Sequence, residues 1–477
     1  MIQLYPFQSA LIDDVRTSLR DHKSVLMQSA CRSGKTQMAS FMAHGAYQRS
    51  RRVMFLCHRS FLIDQTSATF KRAGIPHSFI ASGMRCNKLM PVHIASVGTL
   101  VRRLDQFAPP DLLIIDEAHR SPAASYDQIQ KWAREAKKIG LSASPWRLDG
   151  TGLDQHYETM VSGPDIRWLI SEGFLADYRA FVPSKPDLTG VHSRMGDFVE
   201  SELSAILDNK QVIGDVVGHY RKYADGLRAL YFGLSVAHSK HLAAAFTAAG
   251  IPAVHMDAET PTHERRENAR KLALGGIRII CSVNLCTEGY DLASQAGMPV
   301  SIDCVGLVRP TQSISLHVQM MTRSLTPAPG KTHGLILDHA GNLERLGLPD
   351  HDFQWSLEGR EKGRRRAVRE TGVSICRSCT AAYPSSMPKC PYCGVIKIGL
   401  GRSVDEVEGE LREIDRDLFQ PHSVTRTVDP AREQRKKEQR SARSIDDLIA
   451  LARSRGYKSP EKWAAHVYSA RLSGGKT

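Results

Sequence analysis

From Val25 to Thr36 the chain reads Val-Leu-Met-Gln-Ser-Ala-Cys-Arg-Ser-Gly-Lys-Thr, and no other stretch limits the available folds as much. Its apolar start has the character of a buried parallel strand. A short polar loop follows, and Gly34-Lys35-Thr36 opens a helical pattern continued by Met38, Phe41 and Met42. Strand, polar loop and helix in that order gather backbone N–H groups at a helix start, which stabilises an anion. In such a loop, running here through Arg32 and Ser33, Gly34 lets the backbone approach phosphate oxygens. Lys35 reaches the β- and γ-phosphates, and Thr36 offers a hydroxyl to Mg2+.

A second stretch narrows the reading. Asp111-Leu-Leu-Ile-Ile-Asp-Glu-Ala-His119 is an apolar strand that ends in two adjacent carboxylates. Buried side by side without a cation, they would be costly. Beside a magnesium triphosphate they have separate tasks: Asp116 anchors the metal, and Glu117 orients and deprotonates the attacking water. Together the two stretches predict a nucleotide hydrolase that uses ATP and Mg2+.

At 477 residues the chain has room for two to four domains, and its apolar fraction of 42% supports sizeable cores. No apolar run approaches the length of a membrane span, and the start (Met-Ile-Gln-Leu-Tyr-Pro-Phe-Gln) lacks a signal-peptide layout. A soluble cytoplasmic protein with no membrane partner is expected. Charge is unevenly placed: residues 359–477 hold 25 Lys/Arg against 15 Asp/Glu, which is +10 of the total +14. A basic C-terminal quarter on a nearly balanced body points to a polyanion such as nucleic acid. Cys31, Cys57, Cys86, Cys281, Cys286 and Cys304 are scattered and read as reduced thiols.

Strand-like and helical patterns alternate along the chain. Gln8 precedes the phosphate loop closely enough for its side-chain amide to meet an adenine edge. Strands are expected at Val53–His58, Val92–Val97 and Ile139–Leu141, the last running into the hydroxyl-rich Ser142-Ala-Ser-Pro145. After a less regular stretch over 165–228, the pattern resumes with strands at Ala229–Gly233, Ala253–Met256, Ile277–Val283, Val300–Val305 and Gly334–Asp338. This predicts an α/β chain with two doubly wound parallel sheets, only the first carrying a phosphate loop. ATP would then lie in the cleft between them.

Taken together, these motifs resemble the superfamily 2 helicases of the DEAH type. They are Gln8, Ser33-Gly-Lys-Thr36, Phe55–Gln65, Ile94–Leu100, Asp116-Glu-Ala-His119, Ser142-Ala-Ser-Pro145, Thr287-Glu-Gly-Tyr-Asp291 and Gln319–Arg323. The runs Val308–Ser313, Pro329–Thr332 and Leu335–Asn342 are similar to RadD-like bacterial and phage helicases. The resemblance implies two tandem RecA-like lobes that close on ATP and grip a nucleic-acid strand. It also implies that His119, Ser142 and Ser144 couple nucleotide to lobe movement, that Gly289 and Asp291 face the cleft, and that Gln319 and Arg323 reach the γ-phosphate. The implied division is residues 1–165 for the first lobe, 166–357 for the second, 358–400 for a basic linker and zinc ribbon, and 401–477 for a charged linker and basic helical tail.

The chain departs from the family pattern in three places. Cys31 and Arg32 stand where threonine and glycine are usual, and Arg32 adds charge but loses backbone latitude. The last motif reads Gln319-Met-Met-Thr-Arg-Ser-Leu-Thr326. Thr322 replaces a glycine, and Thr326 stands at the second arginine, a position worth about 10³–10⁵ in rate in other nucleotide hydrolases.

Towards the C-terminus, Cys376-Arg-Ser-Cys379 and Cys390-Pro-Tyr-Cys393 form two paired-thiol turns. Four thiolates at this spacing predict one closed tetrahedral, structural Zn2+ site. A segment this short cannot fold on its own apolar burial, so the metal would supply its stability. Residues 401–431 are acidic, with a helix expected around Val404–Leu418. Arg432–Arg443 is basic, and Ser444 caps a helix to about Ser454, followed by a second helix carrying Trp463 and Tyr468.

The reading is therefore an ATP-dependent DNA helicase or translocase in repair, recombination or phage replication. It is expected to act as a monomer on single-stranded or forked DNA, alongside repair or replication proteins, with RNA left open. The alternative is an ATP-gated binding or annealing module whose turnover is slow because of Thr326. A restriction motor finds no nuclease or methylase constellation here.

Overall fold

The computed structural model describes residues 3–477 except 148, 183–187, 189–190, 195–196, 208–209, 284, 286–289, 360–372, 376–381, 385–386, 391–393, 397–411, 414–443, 455–459, 462–463 and 465–477. The chain forms two compact units, Met1–Leu418 and Phe419–Thr477.

In the first unit, one lobe is built on strands that are buried throughout near the centre of their sheet and partly exposed at one edge. These are β1 (Ser24–Gln28), β2 (Val53–Cys57), β3 (Ser78–Ile80), β4 (Val92–Ser96), β5 (Leu112–Ile115), β6 (Lys137–Ser142) and β7 (Thr159–Ser162). They form one parallel sheet in the order β3-β4-β2-β5-β6-β1-β7. Because β5, β6 and β1 are neighbours, the loops that follow them leave the same edge of the sheet side by side. That placement is what brings a site together in a parallel sheet.

The second sheet is built from β8 (Asp177–Val182), β11 (Ala229–Phe232), β12 (Ala253–Met256), β13 (Ile279–Ser282), β14 (Cys304–Leu307) and β15 (His333–Asp338). A two-residue hairpin, β9 (Ser193–Arg194) with β10 (Asp197–Phe198), stands beside it in sequence. The sheet order is β12-β13-β11-β14-β15-β8, all parallel, and β18 (Arg412–Glu413) adds an antiparallel edge to β8. Two tandem α/β lobes are therefore present, as the alternation implied. The strand expected at Val300–Val305 begins only at Cys304, because the amides of Asp303 and Cys304 first bond Arg228 O outside the ladder. At 412–413 the backbone is a strand where a helix was expected, since β8 offers it a free edge.

After β15 the chain returns to the first lobe. Leu357 O accepts the amides of Leu153 and Asp154, and Gly359 bridges to Thr151. Trp146 donates its indole N–H to Ser356 O at 2.9 Å and meets the Trp355 ring edge-on, with centroids 4.6 Å apart. Leu357 packs against Leu26, Ala118, Leu153 and Tyr157, directly behind the Asp116–His119 loop. This strap, residues 351–359, joins the lobes a second time.

Of the cysteine region, β16 (Val373–Ile375) and β17 (Ala382–Pro384) pair as a hairpin, and Cys390 is buried. Cys376, Cys379 and Cys393 lie outside the described residues. In the second unit the helix Ile445–Ser454 starts at Ser444, whose Oγ accepts the Asp447 amide at 3.0 Å. Trp463 and Tyr468 lie outside the described residues. No helix among the described residues is long and apolar enough to cross a membrane.

Candidate active site

The phosphate loop leaves β1 at Ser29 and ends where Lys35 starts α2 (Lys35–Tyr47). It is braced from within. Ser33 Oγ donates to Ala30 O at 2.7 Å and lies 2.6 Å from Ser29 Oγ, while Lys35 Nζ donates to the carbonyls of Ser29 and Ala30, both at 3.2 Å. Gln8, on the first turn of α1 (Pro6–Asp21), accepts the Tyr5 amide and donates to Ser33 O at 2.8 Å. Gly34 has φ 87°, a conformation that favours glycine, and a Cβ there would fall 2.5 Å from the Gln8 amide nitrogen, so the Gln8 side chain would have to shift from its place against Ser33 O. Arg32 also adopts a left-handed backbone, φ 68°, without being glycine. Strain of this kind costs about 1–3 kcal/mol and persists where surrounding structure demands it.

Asp116 and Glu117 follow β5, 8% and 7% exposed. The Asp116 carboxyl is pushed up to about 7, first by burial and then by the charge of Glu117, against the pull of Lys35. Glu117 takes φ 51°, and its buried Oε2 has no hydrogen-bond partner, standing 3.4 Å from His119 Nδ1. Ser142, the last residue of β6, and Ser144 close on each other, with Ser142 Oγ donating to Ser144 O at 2.6 Å. Gln28 at the tip of β1 donates to Ala143 O, tying this loop to the phosphate loop.

From the second lobe, the helix Ile314–Met321 and its 3₁₀ continuation Thr322–Leu325 carry Gln319 and Arg323, both buried. Arg323 Nη1 donates to Tyr290 O at 2.8 Å. Thr322 turns its hydroxyl back onto Val318 O, so the missing glycine is accommodated within the helix. Asp291 caps the helix Leu292–Ala296 by accepting the amides of Ala293 and Ser294.

These groups meet in one cleft of about 530 Å³. Arg32, Gly34, Lys35, Thr36, Asp116 and Glu117 line it from the first lobe, and Asp291, Gln319 and Arg323 from the second. Gln8 and Ser33 stand behind the loop and hold its shape. Gly289 lies outside the described residues. Sequence reasoning missed one wall. In α3 (Ser60–Arg72), Leu62, Gln65, Thr69 and Arg72 face the cleft. Their spacing of three, four and three residues puts them on one helical face, a signal the sequence carried.

The wall fits a magnesium polyphosphate. It offers the cations Arg32, Lys35, Arg72 and Arg323, and beside them two buried carboxylates, of which Asp116 is driven towards its neutral form by burial and by the charge of Glu117. The Thr36 hydroxyl and the Asp116 carboxylate are hard oxygen donors of the type Mg2+ takes.

Comparison with known proteins agrees with this architecture. Residues 1–147 match the family described as "Type III restriction enzyme, res subunit". The chain is 34% identical over 373 residues to a "51.5 kDa protein" of a Lactococcus phage, covering 77% of each. It is 30% identical over 362 residues to "Putative ATP-dependent helicase IRC3" of Saccharomyces cerevisiae, covering 71% of this chain and 51% of that one, so it spans about half the yeast protein. Among solved structures, the ATP-dependent Type ISP restriction-modification enzyme LlaBIII bound to DNA superposes with a TM-score of 0.52 at 14% identity. That match covers 70% of this chain and 27% of the enzyme. Two parallel-sheet lobes sharing a phosphate-loop cleft, with these relatives, place the chain in the superfamily 2 helicases.

Proposed function

We propose that this chain hydrolyses ATP between its lobes and uses the resulting lobe movement to translocate along DNA. The observation that carries the reading is the single cleft in which Lys35, Thr36, Asp116 and Glu117 face Gln319 and Arg323. Lys35 and the amides at the start of α2 would bind the β- and γ-phosphates. Thr36 and Asp116 would hold a magnesium ion, which neutralises charge on those oxygens. Glu117 would take a proton from water as the water oxygen bonds to the γ-phosphorus and the bond to the bridging oxygen breaks. Gln319 and Arg323 would answer the charge on the departing γ-phosphate. Closure on ATP and opening on product release then move one lobe against the other.

The basic quarter beyond residue 358 supports a polyanionic partner, and single-stranded or forked DNA is our assignment. The boundaries at 165, 357 and 400 divide the lobes, ribbon and tail in this reading. Cys376, Cys379, Cys390 and Cys393 would hold one structural Zn2+. Gly394, just past the second pair, has φ 74° and donates its amide to Cys390 O. A repair, recombination or phage-replication setting is part of the same proposal.

A slow, ATP-gated clamp is the second reading, favoured by Thr326, whose buried hydroxyl is absent from the cleft wall. Unwinding of a forked duplex, compared with and without ATP, decides between them. ATP-dependent strand separation supports the motor, and ATP-dependent binding without separation supports the clamp. DNA and RNA run side by side in an ATPase-stimulation assay identify the polymer.

A further inference from the structure

Arg32 combines three features that a loop residue rarely shares. It lines the cleft, it holds a left-handed backbone conformation that a branched-off side chain disfavours, and its guanidinium reaches across to the other lobe. Its Nη1 lies 4.0 Å from Asp291 Oδ1, with the two side chains 25% and 33% exposed. Asp291 is already oriented by the two helix amides it caps, so it can receive Arg32 without itself being rearranged.

On the facing lobe, the turn after Arg323 offers no second cation to the cleft. Thr326 occupies it, with Oγ1 buried and without a hydrogen-bond partner. Lys331 braces that turn from behind, donating to Ser324 O and Thr326 O as well as to Ile302 O and Ser301 Oγ. Its ammonium is thus spent on the scaffold. Lys331 is pushed down to about 8, chiefly by burial.

Building on the hydrolase reading above, we propose that Arg32 acts as the finger cation of this enzyme, supplied from the phosphate loop in place of Thr326, with Asp291 positioning it across the cleft. An arriving γ-phosphate offers Arg32 more negative charge than Asp291 does, so the guanidinium transfers to the phosphate oxygens as hydrolysis proceeds. The same exchange releases a contact between the lobes, which ties phosphate chemistry to lobe movement. The left-handed strain at Arg32 is tolerated because glycine there would carry no charge.

The test uses the full chain, DNA-stimulated ATP turnover and ADP binding. Arg32→Gly restores an unstrained loop, so melting temperature and ADP affinity should hold or rise while kcat falls on the order of 10²-fold. Thr326→Arg added to Arg32→Gly should recover most of that loss, whereas Thr326→Arg alone should change kcat little or raise it. Arg32→Gly turning over at the wild-type kcat overturns the proposal, as does a double variant no faster than Arg32→Gly. Lys35→Ala separates the two claims. If it loses turnover while Arg32→Gly keeps it, only the finger assignment fails. A wild type with no turnover at all sinks the hydrolase reading and the finger together.

Discussion

Leu357, at the end of the second lobe, gives its carbonyl oxygen to the amide of Leu153 in the first at 2.6 Å. The two residues are far apart in the chain, yet their side chains share one apolar cluster behind the Asp116–His119 loop. Gly152 beside them has no room for a side chain: a Cβ would fall 1.9 Å from Leu357 O and 2.3 Å from the Glu358 carbonyl carbon. Gly152→Ala should therefore expel the strap. We expect a loss of about 1–3 kcal/mol, read as a lower melting midpoint, together with weaker coupling of ATP turnover to DNA. A variant that melts and couples as wild type would mean the strap carries no load.

Lys35→Ala should abolish ATP binding and DNA-stimulated turnover. Glu117→Gln should retain ATP binding and slow turnover by roughly 10²–10⁴-fold, the usual contribution of a general base. Equilibrium nucleotide binding measured beside steady-state turnover separates the two roles. Equal loss of binding in both variants would remove Glu117 from the chemistry.

His317 sits fully buried on the helix that carries Gln319, with Nε2 bonded to Gly347 O at 2.8 Å. Burial, set against that hydrogen bond, depresses it to about 4. A depressed pKa favours the neutral ring when folded, so its contribution is intact above about 6.5 and is lost as pH falls towards 4. Over that window it should cost about 3 kcal/mol. His317→Gln keeps a donor for Gly347 O and cannot ionise, so its denaturation midpoint should fall less between pH 6.5 and 4. Identical acid profiles for the two proteins would contradict this assignment.

Cys390→Ser should release the metal assigned to the four cysteines. Native mass spectrometry of the wild-type chain should find one zinc, lost in the variant, with the ATPase lobes still folded. Purified protein free of zinc, with an unaltered variant, would rule out the ribbon.

Much of this molecule could be read from residue order. A strand covered on both faces must be apolar throughout, which is why β1, β2 and β5 were evident as runs. Short or amphipathic strands were less so. β3 has three residues, β7 is only partly buried, and β8 alternates Asp177, Tyr178, Arg179 and Ala180, so none presents a continuous apolar run. The phosphate loop and the paired carboxylates were legible because each needs a fixed local order of side chains.

By itself, then, the sequence determined two parallel sheets, one phosphate loop and the acidic pair after β5, since each is encoded by residues adjacent in the chain. Tertiary structure alone decided that Gln8 serves the loop's shape, that one face of α3 lines the cleft, that Arg32 reaches Asp291, and that residues 351–359 return to the first lobe. These relations depend on which segments meet after the sheets twist and stack. Trp146 and Ser356 show the limit: 210 residues separate them, and only packing brings their hydrogen bond into being.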